Sequence, residues 1–197
     1  MYNNQDISMR TEIENAIAAL KKGGLILYPT DTVWGIGCDA THPNAIESIY
    51  NLKKRANDKS LICLVADLNM LEQYVEKVPK AAYDVLKFSV SPTTIVYDDP
   101  IRISEDLIAA DNSLAIRIVE DDFCKKLIRK FRRPLVSTSA NLSGEKTPTF
   151  PHELKSGNPL EIIRTTPFGN SLTKDFAIKA IEEEKLGKNG TTDFLAI

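Results

Sequence analysis

Leu135-Val136-Ser137-Thr138-Ser139-Ala140-Asn141-Leu142-Ser143-Gly144 carries an apolar entry straight into a dense block of hydroxyl and amide groups. Six of these ten residues are Ser, Thr, Asn or Gly, types that favour exposed backbone turns over packed elements. Short hydroxyls, an amide and free backbone N–H groups are what grips a phosphate or a carboxylate. The segment reads as a short buried strand over residues 135–137 that opens into a polar loop. A strand ending in an ordinary surface loop is the structural alternative.

A second segment has the same design. Leu27-Tyr28-Pro29-Thr30-Asp31-Thr32-Val33-Trp34-Gly35 follows the apolar run Leu25-Ile26, turns at Pro29 and again sets hydroxyls at a strand's end. The third, from Leu52 to Leu61, is a basic polar joint between a helix and a strand, with Lys53, Lys54, Arg55 and Lys59 inside seven positions. Cations at a helix C-terminus also offset the helix dipole, which is the structural alternative there. The density of charge suits a triphosphate, because Arg offers a planar fork and Lys a movable point charge.

Periodicity predicts the rest of the frame. Thr11 with Glu14 resembles a capping box, Ile13, Ala16, Ile17 and Leu20 share one helical face, and Gly23-Gly24 stops that helix. Pro43 opens a helix that runs through Ala45, Ile46, Ile49 and Leu52 into Lys53. Further helices are predicted over 69–75, 79–88 and 121–132, and strands over 25–28, 61–65, 93–97 and 114–119. Strands and helices alternate, so the expected architecture is a three-layer α/β fold with ligands held by loops at strand ends. The core is expected over residues 10–170 of a single domain, 1–197; residues 145–197 are less regular and hold four of the ten prolines.

Bulk properties narrow the function. With 43% hydrophobic and 26% charged residues the chain is an ordinary globular protein, and a net charge of −2 gives no global field for nucleic acid. No apolar run reaches the length of a membrane span, and the polar, acidic N-terminus argues against a signal peptide, so a cytoplasmic location is expected. Cys38, Cys63 and Cys124 lack metal-site spacing and read as free thiols, and His42 and His152 are too few for a histidine-based metal cluster or triad. No G-x-x-x-x-G-K-[ST] or G-x-G-x-x-G sequence is present.

The three segments together resemble the Sua5/YrdC/YciO family: P-T-D-T-V-W-G from Pro29 to Gly35, K-x-R at Lys53 and Arg55, and S-x-N at Ser139 and Asn141 within S-T-S-A-N. They occur in the family's order, each at a predicted strand edge. The resemblance implies a YrdC-like fold, a twisted mixed β-sheet with flanking helices (α/β, mixed α+β). It implies an L-threonylcarbamoyladenylate synthase of the single-domain type, joining L-threonine, bicarbonate or CO2 and ATP in the tRNA t6A route and releasing pyrophosphate.

The resemblance also assigns roles. Lys53 and Arg55 are the expected catalytic pair, acting on ATP with Lys59, Ser113, Ser139 and Asn141. Thr32, Arg117 and Ser137 are expected to bind threonine. Arg117 stands in an otherwise apolar strand, where a salt bridge to a core carboxylate is the alternative. ATP enters as a substrate, with Mg²⁺ carried by its phosphates and no protein metal site. The rival reading is a non-catalytic RNA-binding protein of the same fold, using Lys53 to Lys59 and the basic helix that carries Lys125, Lys126, Arg129, Lys130, Arg132 and Arg133. Weak tRNA or double-stranded RNA binding and t6A-pathway proteins complete the expected partners, with no membrane.

The chain departs from the family pattern in places. The W-P-G-P-x-T turn reads Ser89-Val90-Ser91-Pro92-Thr93-Thr94, and without its Gly it is expected to close without a positive φ. Ala56 replaces a proline after K-x-R. A P-S-[ST]-[IV] strand is not found beyond Gly144, and Glu161 to Arg164 matches a later I-x-R segment poorly.

Overall fold

The apolar stripe of residues 13, 16, 17 and 20 builds helix α1 (Asn4–Lys21), and Gly23 ends it with φ 77. The computed structural model describes residues 4–53 and 61–141. Contrary to the capping-box expectation, Thr11 lies inside α1, because no Gly or Pro interrupts residues 4–10. The chain continues through β1 (Ile26–Tyr28), β2 (Gly35–Asp39), α2 (Pro43–Lys53) and β3 (Ile62–Val65). Next come α3 (Leu68–Tyr74), α4 (Lys80–Phe88), β4 (Thr94–Asp98) and a 3-10 turn (Glu105–Leu107). The described part ends with β5 (Ser113–Ile118), α5 (Asp122–Phe131) and β6 (Leu135–Ser139).

The strands form one mixed sheet in the order β1-β2-β6-β3-β5-β4, with β3 and β5 parallel and every other neighbour antiparallel. α1 packs on α5 and on β1 and β2, while α3 contacts β3 and β5 and α2 contacts β2, so the sheet is flanked by helices as expected. One continuous core joins them, with Leu20, Ile46, Ile49, Leu64, Leu71, Leu127, Ile128 and Leu135 all fully buried. The expected extension of the core toward residue 170 lies outside the described residues.

Two strands differ from the sequence reading. β2 went unpredicted because two glycines dilute its strand signal and burial on both faces erases the alternation. Its glycines have a steric cause. A Cβ on Gly37 would stand 2.3 Å from the Val136 carbonyl and 2.7 Å from the Tyr28 ring. Gly37→Ala is therefore expected to destabilise by about 3 kcal/mol, the upper range for overpacking. A thermal midpoint unchanged from wild type would contradict this. β6 is longer than expected, because Thr138 and Ser139 pair with Ile36 and Gly35 of β2 before the loop begins.

The substituted turn at Ser89 to Thr94 closes with side chains. Thr93 Oγ1 donates to the Ser91 carbonyl at 2.9 Å and also meets Ser89 Oγ. No residue in it has positive φ, as the missing Gly predicted.

The thiols are core groups. Cys38, Cys63 and Cys124 are fully buried, and burial pushes Cys63 up to about 12 and the other two well above the ordinary thiol range. An unfolded chain releases these protons near pH 8.5 whereas the fold keeps them, so above that pH the unfolded state binds fewer protons and stability falls. Below it both states are protonated and the thiols contribute nothing. Each is expected to cost about 1.4 kcal/mol per pH unit above roughly pH 8.5. From neutral to strongly alkaline pH, denaturation midpoints should fall more steeply for wild type than for a triple Cys→Ala variant; parallel slopes would refute it.

Candidate functional site

The sheet register places the site. Gly37, Ser137, Ile62 and Ala115 form one row across β2, β6, β3 and β5, and directly paired residues share a face. One step along, Asp39, Leu135, Leu64 and Arg117 form the next row on that face. In the opposite direction Gly35 pairs with Ser139, and Ser113 lies two residues before Ala115 on β5. The face with Arg117 thus carries Ser113, Ser137 and Ser139 as well, while Val136, Cys63, Leu114 and Ile116 point to the other side. Sheet alternation alone gathers these polar residues, with Asp39, on one surface.

The first cluster joins the K-x-R and S-x-N motifs. Lys53, the last residue of α2, is 3% exposed. Its ammonium donates to the Ser139 carbonyl at 2.6 Å, to Asn141 Oδ1 at 3.3 Å and to the Asn141 carbonyl. Ser139 Oγ in turn donates to Asn141 Oδ1. Motifs 86 residues apart are therefore in direct contact. The lysine acts as a clamp that curls the 139–141 turn around a buried positive charge. Ala140 N donates to the Trp34 carbonyl at 2.9 Å, which ties the same turn to the P-T-D-T-V-W-G segment. Arg55 and Lys59 lie outside the described residues.

The second cluster forms around Arg117, whose side chain is 8% exposed. Its Nη1 donates to Thr32 Oγ1 at 3.4 Å, and its Nε lies 3.9 Å from Asp31 Oδ1. The core carboxylate considered as the alternative for Arg117 thus exists, and it belongs to the motif itself. Sequence reasoning did not single out Asp31. Its signal was a carboxylate placed between two hydroxyls just after a buried strand. The loop holding it is a tight turn: Thr30 Oγ1 donates to the Val33 carbonyl at 2.6 Å and accepts from Thr32 N at 3.2 Å.

Ser137 lies between the clusters and is buried, with its Oγ 3.0 Å from where a Gly35 Cβ would stand. Thr30 and Tyr28 crowd the same spot, so Gly35 is the space in which the two loops and the Tyr28 ring meet. Tyr28 is held well above its ordinary pKa by burial, despite the hydrogen bond it shares with Ser137. Ser113 is set apart at the start of β5, its Oγ donating to Asp111 Oδ1 at 2.6 Å. By register it is two strands from Ser139, about 10 Å.

The profile of the Sua5/YciO/YrdC family, described as telomere recombination, matches residues 18–162. The chain belongs to the Sua5/YciO/YrdC family. Among curated relatives of the family, a threonylcarbamoyl-AMP synthase of Xylella fastidiosa is 35% identical over 136 residues, covering 68% of this chain and 73% of that protein. One from Stenotrophomonas maltophilia is 37% identical with the same coverage. Of solved structures, P. abyssi Sua5 complexed with L-threonine aligns with a TM-score of 0.66 at 30% identity, over 71% of this chain and 41% of that one. E. coli YciO aligns with a TM-score of 0.64 at 26% identity, over 75% and 72% of the two chains. This chain therefore spans less than half of the Sua5 protein it matches.

Four of the six cations on or just after α5 face carboxylates: Lys125 with Glu120 (3.1 Å), Arg129 with Asp67 (3.2 Å), Lys130 with Glu14 (2.8 Å) and Arg133 with Asp39 (2.7 Å). Leu127, Ile128 and Phe131 are buried beneath them. These pairs tie α5 to Glu14 of α1 and to Asp67 and Asp39, while Arg129, Lys130 and Arg133 stay about half exposed. No helix among the described residues is long and apolar enough to cross a membrane.

Proposed function

We propose that this chain makes threonylcarbamoyl-AMP and pyrophosphate from L-threonine, bicarbonate or CO2 and ATP. The observation that carries the reading is the Lys53 clamp. A buried cation is locked to the S-x-N turn at one end of the polar face, and a buried arginine sits beside Thr32 farther along it. The relatives named threonylcarbamoyl-AMP synthase support the same reading.

The chemistry asks for this kind of site. The threonine ammonium gives up a proton to solvent, the free amine adds to CO2 and loses a second proton to give a carbamate, and a carbamate oxygen attacks the α-phosphorus of ATP as pyrophosphate leaves. Neither step requires a protein nucleophile. What the protein supplies is alignment and compensation of negative charge. Lys53, with Arg55 and Lys59, is assigned to the phosphates, and Ser139 and Asn141 to the nucleotide. Arg117 and Thr32 are assigned to the carboxylate and hydroxyl of threonine, with Ser137 beside them. Ser113 is kept on the nucleotide side, reached along the row it shares with Ser139. Mg²⁺ enters already ligated by ATP and water. The reading carries a cytoplasmic location and a product passed to the tRNA t6A route.

The test is direct. Incubation with ATP, Mg²⁺, bicarbonate and labelled threonine is expected to yield a labelled nucleotide adduct and an equal amount of pyrophosphate. Pyrophosphate release that does not depend on threonine would refute the proposal.

A further inference from the structure

Among the described residues, Asp31 is buried without any of the hydrogen bonds that ordinarily accompany a buried carboxylate. Its side chain is 7% exposed, and neither oxygen has a hydrogen-bond partner among the described residues. Arg117 Nε is in the same condition, 3.9 Å away. At that separation the charges attract but share no hydrogen bond, whereas buried ion pairs persist when their remaining polar atoms are satisfied. The charge is also unbalanced. Asp121, which caps α5 by accepting from Cys124 N at 2.9 Å, has its carboxyl raised mainly by burial and further by Asp31. Asp31 thus lies near a second carboxylate as well as Arg117, a surroundings that favours one more cation.

We infer that Asp31 and Arg117 form a cradle for the zwitterionic head of an α-amino acid, Arg117 taking its carboxylate and Asp31 its ammonium. The inference rests on the proposed function and adds a residue that reads the amine. In the empty protein each charge stands in for the half of the ligand that the other will bind. Entry of the zwitterion exchanges one long ion pair for two sets of charge-assisted hydrogen bonds and satisfies all three orphaned atoms. Thr32, the exposed residue above the pair, contributes only its 3.4 Å contact with Arg117 Nη1 to the closed arrangement.

Calorimetry on the full chain with ATP present tests this, using L-threonine, 3-hydroxybutyrate (which lacks the ammonium) and threoninol (which lacks the carboxylate). Each analogue is expected to bind at least about a hundredfold more weakly than threonine, since a site built for a polar group rejects a ligand without it. Asp31→Asn is expected to weaken threonine by more than about tenfold while leaving 3-hydroxybutyrate and ATP unchanged, so that discrimination collapses. Wild-type binding of 3-hydroxybutyrate within about threefold of threonine, or an unaltered preference in Asp31→Asn, would overturn the inference and leave the proposed function standing. Absence of threonine binding by wild type would instead remove both. Should the variant fail to fold, the wild-type analogue series decides alone.

Discussion

Lys53→Ala is expected to lower ATP-dependent turnover by at least about a thousandfold, the scale on which removal of a preorganised charge-stabilising group acts. Two losses coincide in this variant. The positive charge disappears from the end of the site proposed for the nucleotide, and the 139–141 turn loses the donor that holds the Ser139 and Asn141 carbonyls together. The turn carries both residues of S-x-N, so its loosening also misplaces the groups assigned to the nucleotide. Lys53→Arg separates the contributions. It keeps the charge, but a planar fork cannot point three donors at the same turn as an ammonium does. The arginine variant is expected to recover part of the ATP affinity and little of the turnover. Wild-type rates in Lys53→Ala, measured by pyrophosphate release, would remove Lys53 from the site.

Arg117→Met is expected to act on both binding and stability. The threonine KM should rise at least about a hundredfold with the ATP KM nearly unchanged, because the arginine lies with Thr32 and Asp31 rather than with the 139–141 turn. Truncating one partner also strands Asp31 in a buried position, at a cost of about 3 kcal/mol. The double variant Asp31→Asn/Arg117→Met distinguishes the effects. Removing both charges should restore most of the lost stability without restoring threonine binding. A double variant as unstable as the single one would show that Arg117 supports the fold through packing alone. Equal changes in both KM values would contradict its place on the amino-acid side.

The elements most legible in the sequence were those with a strong period or a clear stop. α5 has its apolar stripe, an Asp121 cap and Arg132 closing it in a left-handed conformation, and it lies within a residue of its predicted limits at each end. β2 and the end of β6 were illegible because what makes them strands is a neighbour, not a propensity. Gly35 and Gly37 are poor strand formers; Gly37 is required because the Tyr28 ring and the Val136 carbonyl leave no room for a Cβ, and Gly35 faces Ser137, Thr30 and Tyr28 closely. Ser139 has the composition of a turn and becomes a strand residue by pairing with Gly35.

The motif order along the chain carried the family resemblance, and through it Lys53, Ser139, Asn141, Thr32 and Arg117 became the candidate site residues. It determined which chemistry this protein is equipped for. The tertiary structure alone decided how those residues are shared out: Lys53 clamped to the S-x-N turn, Arg117 set against Asp31, and Ser113 two strands away. Such distances depend on strand order and register, which arise from long-range packing of the sheet. No local pattern encodes them, and for that reason Asp31 acquires a meaning only once β5 lies within reach of the loop that follows β1.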